Sequence, residues 1–498
     1  MASAILPSHV VANAVGVGGR QGLPLSCSRI KKSHRVRYRL CLANPKTKPA
    51  MARHKSLLAD LLDVKGAVVV EACNCQTVRG VKRITIDVRP YKRLQHRCPH
   101  CGKLCSGYDA GRNRPRRWRA LDFGSVLVYL RYAPARIYCP DHSVVTESVP
   151  WAFPGSRFTK EFDLAVAWQA KHMTRSAIHE YMRIDWQTVG RCVARARKHL
   201  DPDSDKRRLN GLVNIGVDET SYRKGHKYMT VVINHDTGEV VWVREEHGKC
   251  VFEKFFEALS PEQRASIRYV TGDGARWIDE CIKKYTPQAT RCIDPFHVVQ
   301  WAGQAIDKLR TQIWQAMRAD NRDLSKQIQR APDEASLRQL KQKHKEQESL
   351  AKSIKGSTYA LGKAPEHLTD AQSERLKLIA ESQPKLYKGY QLKEELRLIL
   401  KMASEEAGDC LKQWFWRATH SRIEAFRELG HKVKRHFDGI INTLTTGLSN
   451  ARIEATNNKI KVLIRCSYGF RNMKSMFAFI KLICSVVDVR LPNRPSTA

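Results

Sequence analysis

Negative charge is what this sequence lacks most. Against 87 Lys and Arg stand 49 Asp and Glu, a formal net charge of +38 over 498 residues. Residues 1–50 hold no acid at all, the first being Asp60. A surplus of that size opposes compaction through self-repulsion, and phosphate-driven affinity for a nucleic acid accounts for it better than mere solubility does. Long apolar runs are missing too. None approaches the roughly 20 residues that span a bilayer, which excludes a helical membrane protein. Evident cysteine pairs are a third absence: 15 cysteines are scattered along the chain, a usage that fits reduced thiols and one metal site rather than a secreted disulfide framework. The length allows about two to four domains.

What is present divides the chain in order. Residues 1–54 form a basic, acid-free leader whose composition resembles an organelle transit peptide. The preferred alternative is that Met51, heading MARHKSLLADLLDV, is the natural start and the residues before it are upstream sequence. Either way the leader is expected to be disordered. Residues 55–150 read as a β-rich module, with AVVVEA and KRITIDV as strands around Gly80. It contains RCPHCGK and YCPDH, two knuckles whose Cys98, Cys101, Cys139 and His142 have the spacing of a tetrahedral structural Zn²⁺ site. Cys105 is an alternative ligand. Between the knuckles GRNRPRRWRALDF places Arg112, Arg114, Arg116, Arg117 and Arg119 around Trp118, a segment suited to phosphate contact; a solvated loop is the plain alternative.

Residues 151–210 read as three helices and a linker. Thr159 caps the first and Asp185 the third. In DWQTVGRCVARARKHL the apolar positions Val189, Cys192, Val193, Ala196 and Leu200 keep helical spacing. Gln187, Thr188, Arg191, Arg195 and Lys198 are expected on the opposite face. Two short helices joined by a tight turn, the second basic, are the helix-turn-helix arrangement that enters a major groove.

Residues 211–300 alternate differently. An apolar strand ends at Asp218, two further strands follow around Asp236-Thr237-Gly238, and two β–α units come next. The result is a mixed sheet with helices on its faces. Asp273 follows the fourth strand in RYVTGDGA. Asp294, ending the fifth, is its rival, ranked lower because the fourth strand should lie beside the first. Residues 301–440 read as a helical insertion that clamps DNA or assembles subunits. Residues 441–490 return to the core in NARIEATNNKIKVLIR, where Glu454, Asn458 and Lys461 share one helical face, with Arg465 beyond; residues 491–498 are a tail. If Asp218 and Asp273 end neighbouring strands and Glu454 faces them, the three can hold two hard divalent cations through oxygen.

The knuckles, VDET, TGDGA, DPFHVV and NARIEATNNKIKVLIRCSYGFRN together resemble the insertion-sequence DDE transposases of bacteria, most closely the ISL-three family, over about residues 55–490. The resemblance implies an α/β multi-domain protein: an RNase H-like mixed-sheet core with a large helical insertion, preceded by a zinc-ribbon-like module and a helix-turn-helix. Carried over, the catalytic triad is Asp218, Asp273 and Glu454. It would bind two Mg²⁺ (or Mn²⁺) and catalyse DNA cleavage and strand transfer without a covalent enzyme intermediate. The implied partners are double-stranded DNA, as terminal inverted repeats and as target, and a second protomer; the implied location is the bacterial cytoplasm, on the nucleoid. Cys139 and His142 stand where the family has two cysteines, and the acid-free leader is unlike it. A structure-selective nuclease of the same fold and a catalytically silent DNA-binding regulator are the alternatives.

Overall fold

The computed structural model describes residues 48–64, 66–109, 114–402 and 404–492. The expectations for residues 1–47, and for Arg112, lie outside the described residues. A first helix, α1 (Lys48–Leu61), begins inside the expected leader. No helix among the described residues is long and apolar enough to cross a membrane.

The β module consists of β1 (Val68–Val78), β2 (Val81–Pro90), β3 (Ser106–Gly107), β4 (Arg116–Arg119), β5 (Leu127–Tyr132), β6 (Arg136–Cys139) and β7 (Ser143–Thr146). The order β1-β2-β5-β4 makes one sheet, and β3-β6-β7 makes a small second one. Arg79 and Gly80, both at positive φ (52° and 78°), turn β1 back into β2, the left-handed pair that matches strand twist in a two-residue hairpin. Trp118 and Trp151, packed edge to face at 5.5 Å, lie buried in the core of the larger sheet.

Three helices follow: α2 (Lys160–His172), α3 (Arg175–Met182) and α4 (Trp186–Leu200). Thr159, Thr174 and Asp185 accept the N-terminal backbone N–H bonds of each in turn. This trio is not an independent unit. Ile178, Val189, Val193 and Ala196 share one buried cluster with Met229, Val231 and Ile233 of the central sheet and with Ile453, Ile460, Phe479 and Ile480 near the C-terminus. The expected linker holds a short helix, α5 (Ser204–Arg207), whose Arg207 pairs with Asp201 and Glu239.

The central sheet has the order β10-β9-β8-β11-β12, from β8 (Asn214–Arg223), β9 (Lys227–Asn234), β10 (Val240–Glu245), β11 (Tyr269–Gly272) and β12 (Thr290–Ile293). The first three are antiparallel; β11 and β12 add in parallel. One face packs on α6 (Lys249–Glu257) and α8 (Arg276–Tyr285), with α7 (Pro261–Ser266) between them in the chain; Ile215, Val217, Phe252, Phe255 and Ile278 fill that layer. This is the mixed sheet read from the sequence, with the fourth strand beside the first. One boundary differs. β8 does not end at Asp218 but runs five residues further, paired to β9 alone. The apolar run stops earlier because its parallel neighbour β11 stops there, so beyond Asp218 the hairpin is covered on fewer sides.

The insertion opens with α9 (Pro295–Gln329) and α10 (Glu334–Lys355), then α11 (Thr358–Gly362), α12 (Asp370–Ser382), α13 (Pro384–Ile399), α14 (Ser404–Thr419), α15 (Glu424–Arg435) and α16 (Phe437–Thr446). Its core, with Leu309, Leu386, Leu396, Trp414, Phe426 and Ile440 buried, also takes in Ile293 of β12, joining it to the sheet. Finally α17 (Ala451–Cys466) and α18 (Met473–Ile483) return to the sheet face shared with the helical trio.

Candidate functional site

Side-chain alternation along β8 sends Ile215 and Val217 into the layer under α6 and α8, and therefore sends Asp218 to the opposite face, the one covered by α17. In the parallel register Thr271 pairs with Gly216, so two residues further along, Asp218 and Asp273 stand side by side. Asp273 is flanked by glycines for steric reasons: a Cβ on Gly272 would meet Ile278 at 2.9 Å, and one on Gly274 would meet the Trp301 ring at 2.4 Å. Its Oδ1 accepts from the Ala275 N–H at 3.0 Å, and its carbonyl accepts from Arg291, whose guanidinium also bonds Asp279 and the carbonyls of Val270 and Cys292.

Glu454 lies in the first turn of α17, half-buried. One turn later the Asn457 amide donates to Asp218 Oδ2 at 2.7 Å, while Asp218 Oδ1 accepts from the Glu219 N–H at 2.8 Å. Burial pushes the Asp218 carboxyl up to about 6, and the Asp273 charge pushes the same way; the Glu219 and Asn457 bonds and the nearby His297 oppose the rise. Lys432 of the insertion, its ammonium 3.8 Å from the Trp301 ring centroid, is depressed by burial and raised by Asp273. Asp218 and Asp273 thus share one end of the sheet, and Asn457 ties the helix bearing Glu454 across it, but these acids do not form a closed ligand cluster. Among the described residues, one group of three or more potential ligands lies within 4.8 Å, and it is the other centre.

That centre is Cys98, Cys101, Cys139 and His142. Cys101 and Cys139 sulfurs are 3.7 Å apart, and His142 Nδ1 is 3.7 Å from Cys98 Sγ and 3.6 Å from Cys139 Sγ. The His142 contact holds the Cys139 thiol down at about 6. Three sulfurs and one imidazole at these separations suit tetrahedral Zn²⁺. Cys105 is not in the group; its thiol donates to the Lys103 carbonyl at 3.4 Å.

The rival acid Asp294 has another task. Its Oδ1 accepts from the Phe296 N–H at 2.9 Å, capping α9, and its Oδ2 accepts from the Asn450 N–H at 3.0 Å, just before α17. At 5 % exposure with both oxygens used by backbone, it pins two helices together.

The expected DNA-facing residues separate. On α4, Gln187, Arg191 and Lys198 are exposed. Thr188 is buried, its hydroxyl donating to Asp185 at 2.5 Å, and Arg195 turns inward to a two-bond ion pair with the fully buried Asp163, both bonds 2.8 Å. Arg195 departs from the expected face because Asp163 of α2 claims it, and Thr188 because its hydroxyl closes the Asp185 cap of its own helix. Arg114, Arg116 and Arg117 are exposed, whereas Arg119 is buried and donates to Asp122 and to the Arg183 carbonyl. On α17, Asn458, Lys461 and Arg465 are exposed beyond Glu454. Asn457, Arg291, His297 and Lys432 were not singled out from sequence. Asn457 had a signal, standing at i+3 from Glu454; Lys432 and Arg291 had none, since only tertiary folding brings them to Asp273.

A zinc-knuckle module, a helix-turn-helix and a mixed sheet with acids at one end define an enzyme that acts on DNA. Comparison with known proteins finds three family profiles along the chain. The family profile described as "Transposase" matches residues 215–480, "Helix-turn-helix domain of transposase family ISL3" matches 147–196, and "zinc-finger of transposase IS204/IS1001/IS1096/IS1165" matches 94–142. The chain is 40% identical over 415 residues to the transposase for insertion sequence element IS1557 of Mycobacterium tuberculosis, covering 83% of this chain and 91% of that protein. It is 25% identical over 405 residues to the transposase for IS1001 of Bordetella parapertussis, covering 80% and 91%. The chain belongs to the ISL3 family of transposases, and it is a DNA transposase with a DNA-binding helix-turn-helix domain.

Proposed function

We propose that this transposase cuts and joins DNA through Asp218, Asp273 and Glu454, which hold two Mg²⁺ (or Mn²⁺) ions, after its zinc module and α4 have bound the terminal inverted repeats. The observation that carries the reading is the 2.7 Å bond from Asn457 to Asp218, which ties the helix bearing Glu454 to the strand bearing Asp218, in register with Asp273. The donor set fits a hard divalent cation. It offers oxygen only, and the burial and like charge that raise Asp218 are both relieved by a positive partner. Bound there, such cations would stabilise the attacking and leaving oxygens of an in-line displacement at phosphorus.

The chain's own groups do the rest. Asn457 and the Glu219 N–H fix the Asp218 carboxylate, and each oxygen keeps a second lone pair for a ligand. Lys432, beside Asp273, and the exposed Asn458, Lys461 and Arg465 grip the phosphate backbone. Gln187, Arg191 and Lys198 reach the duplex from α4, with Arg114, Arg116 and Arg117 on phosphates. Cys98, Cys101, Cys139 and His142 hold structural Zn²⁺. Water attack at a transposon end frees a 3′-hydroxyl, and that hydroxyl attacks target DNA at the same site. Pairing two ends calls for at least two protomers, a dimer on DNA. The test is to incubate the protein with labelled end DNA, Mg²⁺ and a target plasmid. Joined product is the expected outcome; cleavage without joining would instead make the protein a nuclease, and binding alone a silent regulator.

A further inference from the structure

We infer that the β1–β2 hairpin is a sequence-reading element in addition to α4, a two-stranded ribbon that enters the major groove of the end DNA; the inference rests on the reading that this protein binds terminal repeats. Between Val70 and Ala72 a bulge shifts the register of β1 on β2, and a bulge bends the strand that carries it. From Glu71 to Gly80 every residue is exposed. β1 is the edge of its sheet, and β5 pairs with β2 only from Arg83 to Asp87, so Thr77 to Lys82 stand as a bare two-stranded tip. Such a ribbon is one of the two shapes that the major groove, roughly 12 Å wide, admits.

Ile86 and Val88 point into the core of the module, so alternation sends Arg83 and Thr85 to its other face. Gln76 pairs with Arg83 and Asn74 with Thr85, and directly paired residues share a face. The outward face therefore carries Asn74, Gln76, Arg83 and Thr85. These are side chains that bond base edges: amides to adenine, guanidinium to guanine, hydroxyl to either. Among the described residues none of the four makes a side-chain hydrogen bond or ion pair, and the Arg83 Nε is buried without a partner. Other arginines of the same sheet are committed, Arg89 to Glu71 and Arg131 to Asp87. Residues 72–86 contain no acid, which leaves Arg79 and Lys82 at the tip as uncompensated charge suited to phosphates. A free sheet edge can also take a strand from a second copy. Charge opposes that partner, because two copies would bring Arg79, Lys82 and Arg83 together with no acid among them.

The test uses the full-length protein and two duplexes, one taken from the DNA bordering this gene and one of scrambled sequence and equal composition. The double variant N74A/Q76A should weaken binding to the first about tenfold or more and to the second by less than about twofold, with its melting profile unchanged. 7-Deazaadenine lacks the N7 acceptor and leaves base pairing intact. Placed one position at a time in the first duplex, it should weaken wild-type binding at one or two positions to which the variant is indifferent. R79A/K82A should weaken both duplexes alike and lower the salt slope by about two. Wild-type affinity of N74A/Q76A for the first duplex, an equal loss on both, or a variant still sensitive at every position where wild type is, overturns the inference alone. A variant whose DNA-free self-association weakens in step with its DNA binding assigns the edge to a second copy and overturns it too. A wild-type protein that does not distinguish the two duplexes overturns the inference together with the reading on which it rests.

Discussion

Two groups in this protein titrate near pH 6 from opposite directions. The Cys139 thiol is pulled down to about 6 by His142, and the Asp218 carboxyl is pushed up to about 6 by burial and by Asp273. The first belongs to a centre whose four ligand atoms already lie within 4.8 Å; the second stands beside Asp273, with the helix bearing Glu454 tied to it through Asn457, and no closed cluster forms. The difference lies in how each is built. The knuckles bring ligands together by local turns, with paired residues three apart, and thiol and imidazole can share protons as neutral neighbours. The acids come from three distant elements, and like charges resist approach until something positive compensates them. A preformed ligand cluster and an open set of acids follow from the same electrostatics.

Breaking the first centre should have the largest effect. Stripping metal with a chelator, or exchanging Cys139→Ala, should unfold the small β3-β6-β7 sheet, since structural Zn²⁺ sites contribute about 10 kcal/mol or more to folding. Metal content should fall from one Zn²⁺ per chain to none, with DNA binding lost. An unchanged melting profile after complete zinc removal would contradict this. Next, Asp218→Asn should bind end DNA within about twofold of wild type while cleavage falls about a thousandfold, several kcal/mol of transition-state stabilisation. Undiminished cutting would remove Asp218 from the metal ligands.

Acid pH sharpens the comparison within the core. His235, buried against Thr271, with which its Nε2 shares a 2.7 Å bond, is depressed by burial to about 4. The unfolded chain takes up that proton below pH 6.5 and the folded one does not, so His235 costs stability as pH falls from 6.5 to 4, by about 3 kcal/mol in all. Asp218 runs the other way. Its raised pKa penalises the folded metal-free form above pH 6, and protonation recovers about 2–3 kcal/mol as pH falls toward 4. The two nearly cancel in the wild type. Asp218→Asn should therefore lose stability more steeply between pH 6.5 and 4, and His235→Gln should gain over the same range, as denaturant midpoints will register; parallel curves for all three proteins would refute the pairing. The smallest effect is expected on α4. Arg191→Ala should weaken DNA binding evenly across sequences and lower the salt slope by about one if it contacts a phosphate, whereas Arg195→Ala should act through stability, by stranding Asp163.

The sequence was most legible where function rests on local spacing. The knuckles and the Thr159 and Asp185 helix caps could be read because each depends on residues within a few positions. What escaped it were long-range choices. Nothing in VARARKHL tells Arg195 from Lys198, because only the packing of α2 decides which of them meets Asp163. Asp218 looked like a strand end because its hydrophobic run ends, although backbone pairing continues. Asn457 was overshadowed by Asn458, which lies on the exposed side; a one-residue step on a helix turns a side chain by about 100°, enough to exchange partner for solvent.

The central claim is that acids from β8, from the loop after β11 and from α17 bind one cation cluster. Replace Mg²⁺ with Fe²⁺ in zinc-loaded protein, add ascorbate, and map where the polypeptide is cut by the radicals formed at the bound iron. Cuts clustered near residues 218, 273 and 454 together, all suppressed by excess Mg²⁺, are predicted. Cuts near only one of the three, or a pattern that Mg²⁺ leaves unchanged, would contradict the account.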